Sequence, residues 1–226
     1  GLPTVFGAEL TLEQSVAGQA RIDLSRPGPA DPMGEHLLVL ARDPEGYALL
    51  GRALSEGQLA GEKGAPRISY ERLVELGGVG SERGEDHWLI FTGCRKAPVP
   101  KTLTEQGPAA ARRALDRLTS DFGRHNVAVE LWDHGLPADS VRNDALAELA
   151  VAAGLDLVAT GNVHHHSVAR QRLASAMAAV RARRSLDEID GWLPPAGLHL
   201  RSGDEQALRF ARYPGVVERA AAIGLE

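Results

Sequence analysis

At 226 residues with 43% hydrophobic side chains, the chain can bury a core, which excludes a disordered segment and favours one medium-sized domain, alone or with an appendage. Its formal net charge of −5 argues against a generally basic nucleic-acid clamp, and its one cysteine, Cys94, excludes an intramolecular disulfide and favours a reducing cytoplasm. No run approaches the roughly 18 consecutive apolar residues of a membrane span, and no basic signal peptide opens the chain, so we expect a cytoplasmic protein with no membrane partner.

Strand-like and helix-like segments alternate along the chain. Short apolar runs bounded by glycine, proline or charge are typical of buried strands, whereas apolar residues three to four positions apart predict helices. Ser69 suits the N-cap of one helix, Pro108 the first turn of another, and Gly154 the left-handed cap that ends a third. The predicted order is strand Pro3–Phe6, strand Leu37–Ala41, helix Gly46–Leu59, helix Ser69–Leu76, a surface loop to Asp86, strand His87–Gly93, helix Pro108–Phe122, strand Val127–Trp132, helix Asn143–Ala153 and strand Leu155–Thr160.

This alternation predicts an α/β unit with a mostly parallel sheet, either open or closed into a barrel. After His166 the pattern changes, since Arg170–Arg184 is a basic amphipathic helix and Ser185–Glu226 contains short helical pieces broken by prolines. We expect this second part to be an appendage or connector. Because the chain begins with Gly1 and is strand-like from the start, we also expect it to be a fragment of a longer protein.

Side chains that bind metals follow several of the predicted strands. Functional groups of parallel α/β folds gather where the carboxyl ends of strands meet. Glu9 follows the first predicted strand, Cys94 the third, and Asn162 and His164 the fifth. His36 instead stands at the front of its strand, so this rule does not place it with the others. Imidazole, thiolate and carboxylate groups together suit zinc, manganese or iron.

Each of these residues also has a purely structural interpretation. A lone glutamate is most often a solvated carboxylate, and a single cysteine is usually a small buried apolar side chain. Three adjacent histidines at 164–166 are less common, but adjacent residues of an extended segment point to alternate faces, so at most two could serve one site. The candidates form no CxxC or HExxH pattern, and the chain has no phosphate-binding loop, dinucleotide fingerprint or nucleophile elbow. The residues alone leave both interpretations open.

Motifs spread over nearly the whole chain resemble the PHP (polymerase and histidinol phosphatase) domain of bacterial DNA polymerase III alpha subunits. They follow the family's order and include GAE at 7–9, HLLVLARD at 36–43, TGC at 92–94, VEL at 129–131 and TGNVH at 160–164. Segments 161–167 and 181–193 are similar to the error-prone, damage-inducible branch of that family.

The resemblance implies a partial, distorted (β/α)7 PHP barrel whose mouth binds up to three divalent metal ions, zinc or manganese. Matching motif by motif assigns metal ligation to Glu9, His36, Cys94 and His164. Asn162 occupies a position at which the family has an aspartate, and a neutral amide is a weaker ligand than a carboxylate. The family's opening ligand motifs and first strands would lie before the chain starts. We therefore expect residues 1–168 to be the C-terminal portion of a PHP domain and residues 169–226 to be a helical connector toward the polymerase palm.

The resemblance also implies what the parent protein does. It would be an error-prone DNA polymerase, a nucleotidyltransferase that carries out translesion synthesis in damage-induced mutagenesis. Its polymerising residues and their magnesium would lie outside this segment, which would be inactive alone. Its partners would be DNA and deoxynucleotides, with mutagenesis-complex proteins and the sliding clamp. With Asn162 in place of aspartate, we expect this segment to be mainly structural, with residual metal binding.

Two other functions are consistent with parts of the sequence. A free-standing PHP phosphoesterase, similar to histidinol phosphatase, would use the same ligands, but such chains usually stop soon after the last ligand motif. The basic helix Arg170–Arg184 could instead dock DNA or a partner protein through its arginines. The simpler interpretation of that helix buries Leu173, Met177 and Val180 on one face and leaves the arginines in solvent.

Overall fold

The computed structural model describes residues 4–13, 34–62, 65–84, 86–193, 195 and 197–226. Its helices are α1 (Pro44–Ala60), α2 (Tyr70–Gly77), α3 (Pro98–Gln106), α4 (Pro108–Phe122), α5 (Asp139–Ala153), α6 (Gln171–Ala182), α7 (Gly203–Arg209) and α8 (Val216–Ile223), with 3-10 turns at Arg124–Asn126, Val168–Arg170 and Asp187–Trp192. Within the described residues, no helix is long and apolar enough to cross a membrane.

A five-stranded sheet with its strands in sequence order organises the fold. β1 (Phe6–Leu12) pairs antiparallel with β2 (Glu35–Ala41), which pairs antiparallel with β3 (Trp88–Phe91). β3 then pairs in parallel with β4 (Val127–Trp132), and β4 pairs in parallel with β5 (Asp156–Thr160). The mostly parallel sheet that we predicted is therefore present only in the second half. Apolar patterning reveals that a segment is a strand but not the direction in which it pairs. The mixed α/β class is confirmed, and the (β/α)7 barrel stays a prediction.

The first predicted strand was placed too early in the chain. Pro3 lies outside the described residues, and the strand begins at Phe6 and continues to Leu12. Phe6 is 52% exposed, whereas Leu10 and Leu12 are buried. An alternating pattern with one buried face therefore defines this strand, rather than the short apolar run that precedes it. As a result, Glu9 lies inside β1 instead of after it.

Most of the other predicted elements are confirmed with small changes of boundary. Ser69 caps α2, because its side chain accepts a hydrogen bond from the backbone N–H of Arg72. Gly154 ends α5 in the left-handed conformation with a φ of 62°. The sequence reasoning missed α3, whose first turn contains Pro98 and Pro100.

The two faces of the sheet are covered by different layers. Successive residues of a strand point to opposite faces, so each strand contributes to both layers. The helices α1, α2, α4 and α5 cover one face and enclose the larger core. Buried strand residues on that face include Leu10, Leu37, Val39, Ile90 and Val129. The other face carries a smaller cluster of Leu89, Phe91, Ala128, Val158 and Ile223, against which Leu38 packs.

The C-terminal segment packs onto the sheet. Phe210, directly after α7, and Val216, at the start of α8, are buried in the larger core. Ile223, at the end of α8, is buried in the smaller cluster on the other face. The predicted connector, residues 169–226, therefore contributes side chains to both cores, while the domain boundary at residue 168 stays a prediction.

Candidate metal centre

Antiparallel pairing of β1 with β2 brings Glu9 and His36 together. Glu9 stands opposite Leu38 and His36 stands opposite Thr11, so Glu9 and His36 are diagonal neighbours on one face of the sheet. Nδ1 of His36 lies 2.9 Å from Oε1 of Glu9. His36 reaches this site from the start of its strand because antiparallel pairing places the start of β2 beside the end of β1.

Cys94 enters the site from the loop that follows β3. Gly93, with a φ of 74°, turns the chain there in a conformation that favours glycine. The backbone N–H of His36 donates to the carbonyl of Lys96 at 3.3 Å, which ties this loop to β2. The thiol Sγ of Cys94 lies 3.2 Å from Nδ1 of His36. Ligand atoms of Glu9, His36 and Cys94 all lie within 4.8 Å of one another.

Glu9, His36 and Cys94 also determine one another's ionisation. The hydrogen bond from His36 lowers the pKa of the Glu9 carboxyl group, although partial burial opposes this effect. Burial raises the pKa of the Cys94 thiol to about 12, and the negative charge of Glu9 adds to the rise. Such a thiol is protonated at neutral pH, so Cys94 is a poor nucleophile, and a metal ion that binds it must displace the proton.

His164 and Asn162 lie in the segment that follows β5. Partial desolvation lowers the pKa of His164 and the negative charge of Glu9 opposes the change, so this imidazole is within electrostatic reach of the site. His164 is nevertheless exposed and is not part of the 4.8 Å group. Asn162 has a φ of 39°, a left-handed conformation that asparagine and aspartate adopt more readily than most residues. This backbone conformation therefore suits asparagine and aspartate alike and does not depend on metal binding.

The neighbouring histidines have separate environments. His165 is buried, and its Nδ1 lies 3.0 Å from the carbonyl of Ser167. His166 is exposed. A short bridge between His165 and His199 holds the histidine segment against the C-terminal part of the chain. Among residues 164–166, electrostatic coupling to Glu9 is found for His164.

The sequence reasoning missed Glu130 as a residue of this region. Glu130 is 4% exposed and lies in β4, where the other residues are apolar. The hydroxyl of Thr160, at the end of β5, donates to its Oε1 atom. Burial raises the pKa of Glu130 to about 7, and the negative charge of Glu9 contributes to the rise. The available signal was a single carboxylate inside a wholly buried strand, since charged residues are rarely fully buried without a partner.

The donor set of Glu9, His36 and Cys94 fits a divalent transition metal. One carboxylate, one imidazole and one thiol are typical ligands of zinc, and the carboxylate also suits manganese. Their mutual distances allow a single ion to contact all three groups. The geometry thus brings together three of the four ligands assigned from the sequence, and leaves the fourth, His164, nearby.

The basic helix α6 does not pack as the sequence suggested. Leu173, Met177 and Val180 are 51%, 65% and 76% exposed. The buried residues of α6 are instead small, among them Ala178 and Ala179. The expected burial of its apolar face is wrong, because alanine allows the helix to pack closely through its other side. Arg181, Arg183 and Arg184 are exposed as predicted.

Comparison with known proteins indicates the family to which the chain belongs. The family model of the PHP domain matches residues 1–134. An "Error-prone DNA polymerase" of Mycobacterium bovis is 51% identical over 98% of this chain and 19% of its own length. The protein of that name from Cutibacterium acnes is 43% identical over 99% of the chain and 18% of its length. A "DNA polymerase III subunit alpha" of Thermus aquaticus is 30% identical over 81% of the chain and 14% of its length.

Glu9, His36 and Cys94 lie within the part of the chain that the PHP model matches. The chain spans about a fifth of the length of the curated relatives it matches. Because the family model matches more than half of its residues, the chain belongs to the PHP domain family.

Proposed function

We propose that this chain is the PHP segment of an error-prone DNA polymerase that carries out translesion synthesis in damage-induced mutagenesis. The 51% identity to a protein of that name over nearly the whole chain carries the proposal. The alternative, a free-standing phosphoesterase similar to histidinol phosphatase, has less support because the reported relatives are named as polymerases. Nucleotidyl transfer and its magnesium would belong to a part of the protein outside this segment.

The proposed role of the segment itself is mainly structural, with residual binding of zinc or manganese. Glu9, His36 and Cys94 would hold the ion, with His164 completing the set from the segment after β5. A bound ion would supply a Lewis acid for phosphodiester chemistry. Asn162 leaves the site without the carboxylate found at that position in the family, so the ion would be bound too weakly for exonuclease activity.

The partners of the full-length protein follow from the same proposal. It would bind DNA and deoxynucleotides in the cytoplasm, and mutagenesis-complex proteins and the sliding clamp would recruit it. Arg181 in the last turn of α6, and Arg183 and Arg184 directly after the helix, are exposed and offer a basic face for such contacts. Replacing Arg181, Arg183 and Arg184 with glutamate should weaken DNA or partner binding without unfolding the domain, and unchanged binding would exclude this face.

The experiment that tests the structural role compares the full-length protein with its Asn162→Asp variant. Metal content is measured by elemental mass spectrometry, and 3'-5' exonuclease activity is measured on a labelled primer. We expect the natural protein to retain little metal and to degrade no DNA, and the aspartate variant to gain metal, activity or both. Gln58→Glu, an exposed site in α1, is the control for one added negative charge. Exonuclease activity in the natural protein would contradict the structural role.

A further inference from the structure

Helix α6 packs on the fold through small residues and leaves its larger apolar side chains in solvent. Its buried residues are Ser175, Ala178, Ala179 and Ala182. The three alanines form a cluster of their own with Ile189. Leu173, Met177 and Val180 lie on the other side of the helix, each more than half exposed. Large apolar side chains that are exposed next to one another mark interaction sites, whereas single ones do not.

Leu173, Met177 and Val180 form a continuous row, which we call the α6 stripe. They follow one another at intervals of four and three residues within one helix. At about 100° per residue, the three side chains project within roughly 60° of one another. On the same helical wheel, Arg172 lies on one side of the stripe and Arg181 on the other, and both are exposed. The apolar stripe is therefore flanked by a positive charge on each side.

The arginines around α6 lack the acidic partners that arginines have elsewhere in the fold. Arg72 and Arg219, for example, each form an ion pair at 2.7 Å. Arg170, Arg172 and Arg181 form no ion pair with the residues that the structure describes. The sequence explains the difference, because residues 157–186 contain five arginines and neither aspartate nor glutamate. This stretch therefore carries a positive charge that its own residues cannot neutralise.

Two possible partners match only one property of this face. Duplex DNA would match its charge, since phosphates pair with arginine, but Met177 would then lie against a charged and hydrated backbone. A second copy of the chain would match its apolar stripe, but a two-fold interface pairs a surface with itself and would bring like charges together. A partner with an apolar stripe flanked by carboxylates matches both properties.

We propose that α6 binds an acidic amphipathic helix of a partner protein. The apolar side of that helix would cover the α6 stripe, and its aspartates and glutamates would pair with Arg172 and Arg181. Amphipathic helices bind other proteins in this way through apolar residues three, four and seven positions apart. The inference names the class of partner for the basic face described above, and so rests on that part of the proposed function.

The test is fluorescence anisotropy of a labelled synthetic peptide titrated with the full-length protein. The peptide is helical and has leucines three and four positions apart, with glutamates on both sides of them. A shuffled peptide of the same composition has no apolar stripe and controls for acidity alone. We expect the ordered peptide to bind at least about tenfold more tightly than the shuffled one. Equal binding of the two peptides, or no binding of either, would overturn the proposal.

A pair of matched variants tests the apolar stripe. Met177→Gln keeps the length of the side chain and makes it polar, so it should weaken binding of the ordered peptide at least about tenfold. Leu208→Gln makes the same kind of change at a residue of α7 that is 80% exposed and also precedes an arginine, and it should leave binding unchanged. An equal effect of the two variants on peptide binding would argue against the stripe.

A charge exchange tests the flanking arginines. The double variant Arg172→Glu with Arg181→Glu should weaken binding of the ordered acidic peptide. It should instead bind a peptide in which lysines replace the glutamates, because the signs of the two faces are then exchanged. Both substitutions are at exposed positions, and circular dichroism verifies that the variant is folded. A folded double variant that still prefers the acidic peptide would rule out the pairing with these arginines.

Two further measurements separate this inference from its alternatives. The natural protein and the double variant are titrated with duplex DNA. Weaker DNA binding by the variant, with no preference of the natural protein for the ordered peptide, would assign the face to DNA and overturn the proposal. Synthesis across a template lesion by the natural protein is measured in parallel. Lesion synthesis without peptide binding would overturn this inference alone, whereas peptide binding without lesion synthesis would support it and contradict the proposed polymerase.

Discussion

At the scale of single residues, Glu130 shows how the site lowers the stability of the fold. Removing a carboxylate from water is costly, and at Glu130 the hydrogen bonds from Thr160 and Gly93 offset only part of the cost. The pKa of Glu130 is therefore raised to about 7 by burial, with a contribution from the charge of Glu9. Carboxylates with a pKa raised in this way cluster at functional sites, which makes Glu130 a candidate functional residue.

The raised pKa of Glu130 predicts a pH dependence of stability in metal-free protein. The folded state binds the proton more tightly than the unfolded state, whose carboxyl group has a pKa near 4.5. The stabilisation from protonated Glu130 is thus complete below pH 4.5 and is lost as pH rises through about 7. Glu130→Gln, which cannot ionise, should gain on the order of 2–3 kcal/mol relative to the natural chain between pH 5 and pH 8.

Urea unfolding of both proteins at pH 5 and pH 8, with a chelator present, measures this difference. Glu148→Gln provides the reference, because its carboxylate is exposed and its loss should change stability little at either pH. If the free energies of unfolding of natural protein and Glu130→Gln change in parallel between the two pH values, Glu130 is not buried as described.

The residues of the site differ in how far the sequence could predict them. Cys94 could be found from its place after a strand, whereas His36 could not, because the rule for strand ends assumes parallel neighbours and β2 is antiparallel to both of its neighbours. His36 was assigned through the family resemblance instead, because a family match reflects which distant strands pair, and local sequence patterns do not. Neither the strand-end rule nor the family resemblance identified Glu130. Its environment includes the hydroxyl of Thr160, which is 30 residues away in the next strand.

At the scale of elements, two helical glycines show opposite packing. Gly51 lies inside α1, and a Cβ added there would meet no atom within 4 Å. Gly77 ends α2, and a Cβ added there would lie 2.3 Å from Cε3 of Trp88. Trp88 is fully buried and held by a 2.8 Å hydrogen bond from its Nε1 to the carbonyl of Gly46, so its ring has little freedom to move.

Alanine at these two glycines should therefore change stability in opposite directions. Gly51→Ala should stabilise the chain by about 0.5–1 kcal/mol, because alanine restricts the unfolded state and fits the helix. Gly77→Ala should destabilise it by about 1–3 kcal/mol through overpacking against Trp88. Thermal unfolding of the two variants beside the natural chain measures both effects. A stabilising Gly77→Ala would show that α2 does not pack on Trp88 as closely as described.

The elements that the sequence predicted well have strong local signals. Ser69 indicates the start of α2, and Gly154 indicates the end of α5, because each residue type satisfies a specific backbone requirement. α3 was missed because Pro98 and Pro100 are typical of loops, although proline is well tolerated in the first turn of a helix. The start of β1 was predicted too early because the sequence reasoning relied on the apolar run Pro3–Phe6 and not on the alternating residues that follow it.

At the scale of the whole molecule, the C-terminal segment combines a buried and an exposed apolar surface. Phe210 and Val216 belong to the larger core, whereas Leu173, Met177 and Val180 of α6 face solvent. Sequence patterning identifies both sets as apolar but cannot tell which set finds a partner within the fold. Tertiary packing decides which apolar side chains are buried. In α6 the small alanines pack against neighbouring residues, and the larger apolar side chains stay exposed to solvent.

Burial of Phe210 predicts that the PHP segment needs the residues after position 168 for its stability. Phe210 is 2% exposed and packs in the core that also contains the sheet residues. Phe210→Ala should lower the free energy of unfolding by about 3–5 kcal/mol, because the cavity adds to the lost burial of the ring. Leu208→Ala, two residues earlier in α7 and 80% exposed, is the matched control and should have little effect. Chemical denaturation of the two variants decides the point. Equal stability of both variants would mean that Phe210 does not pack in the sheet core as described.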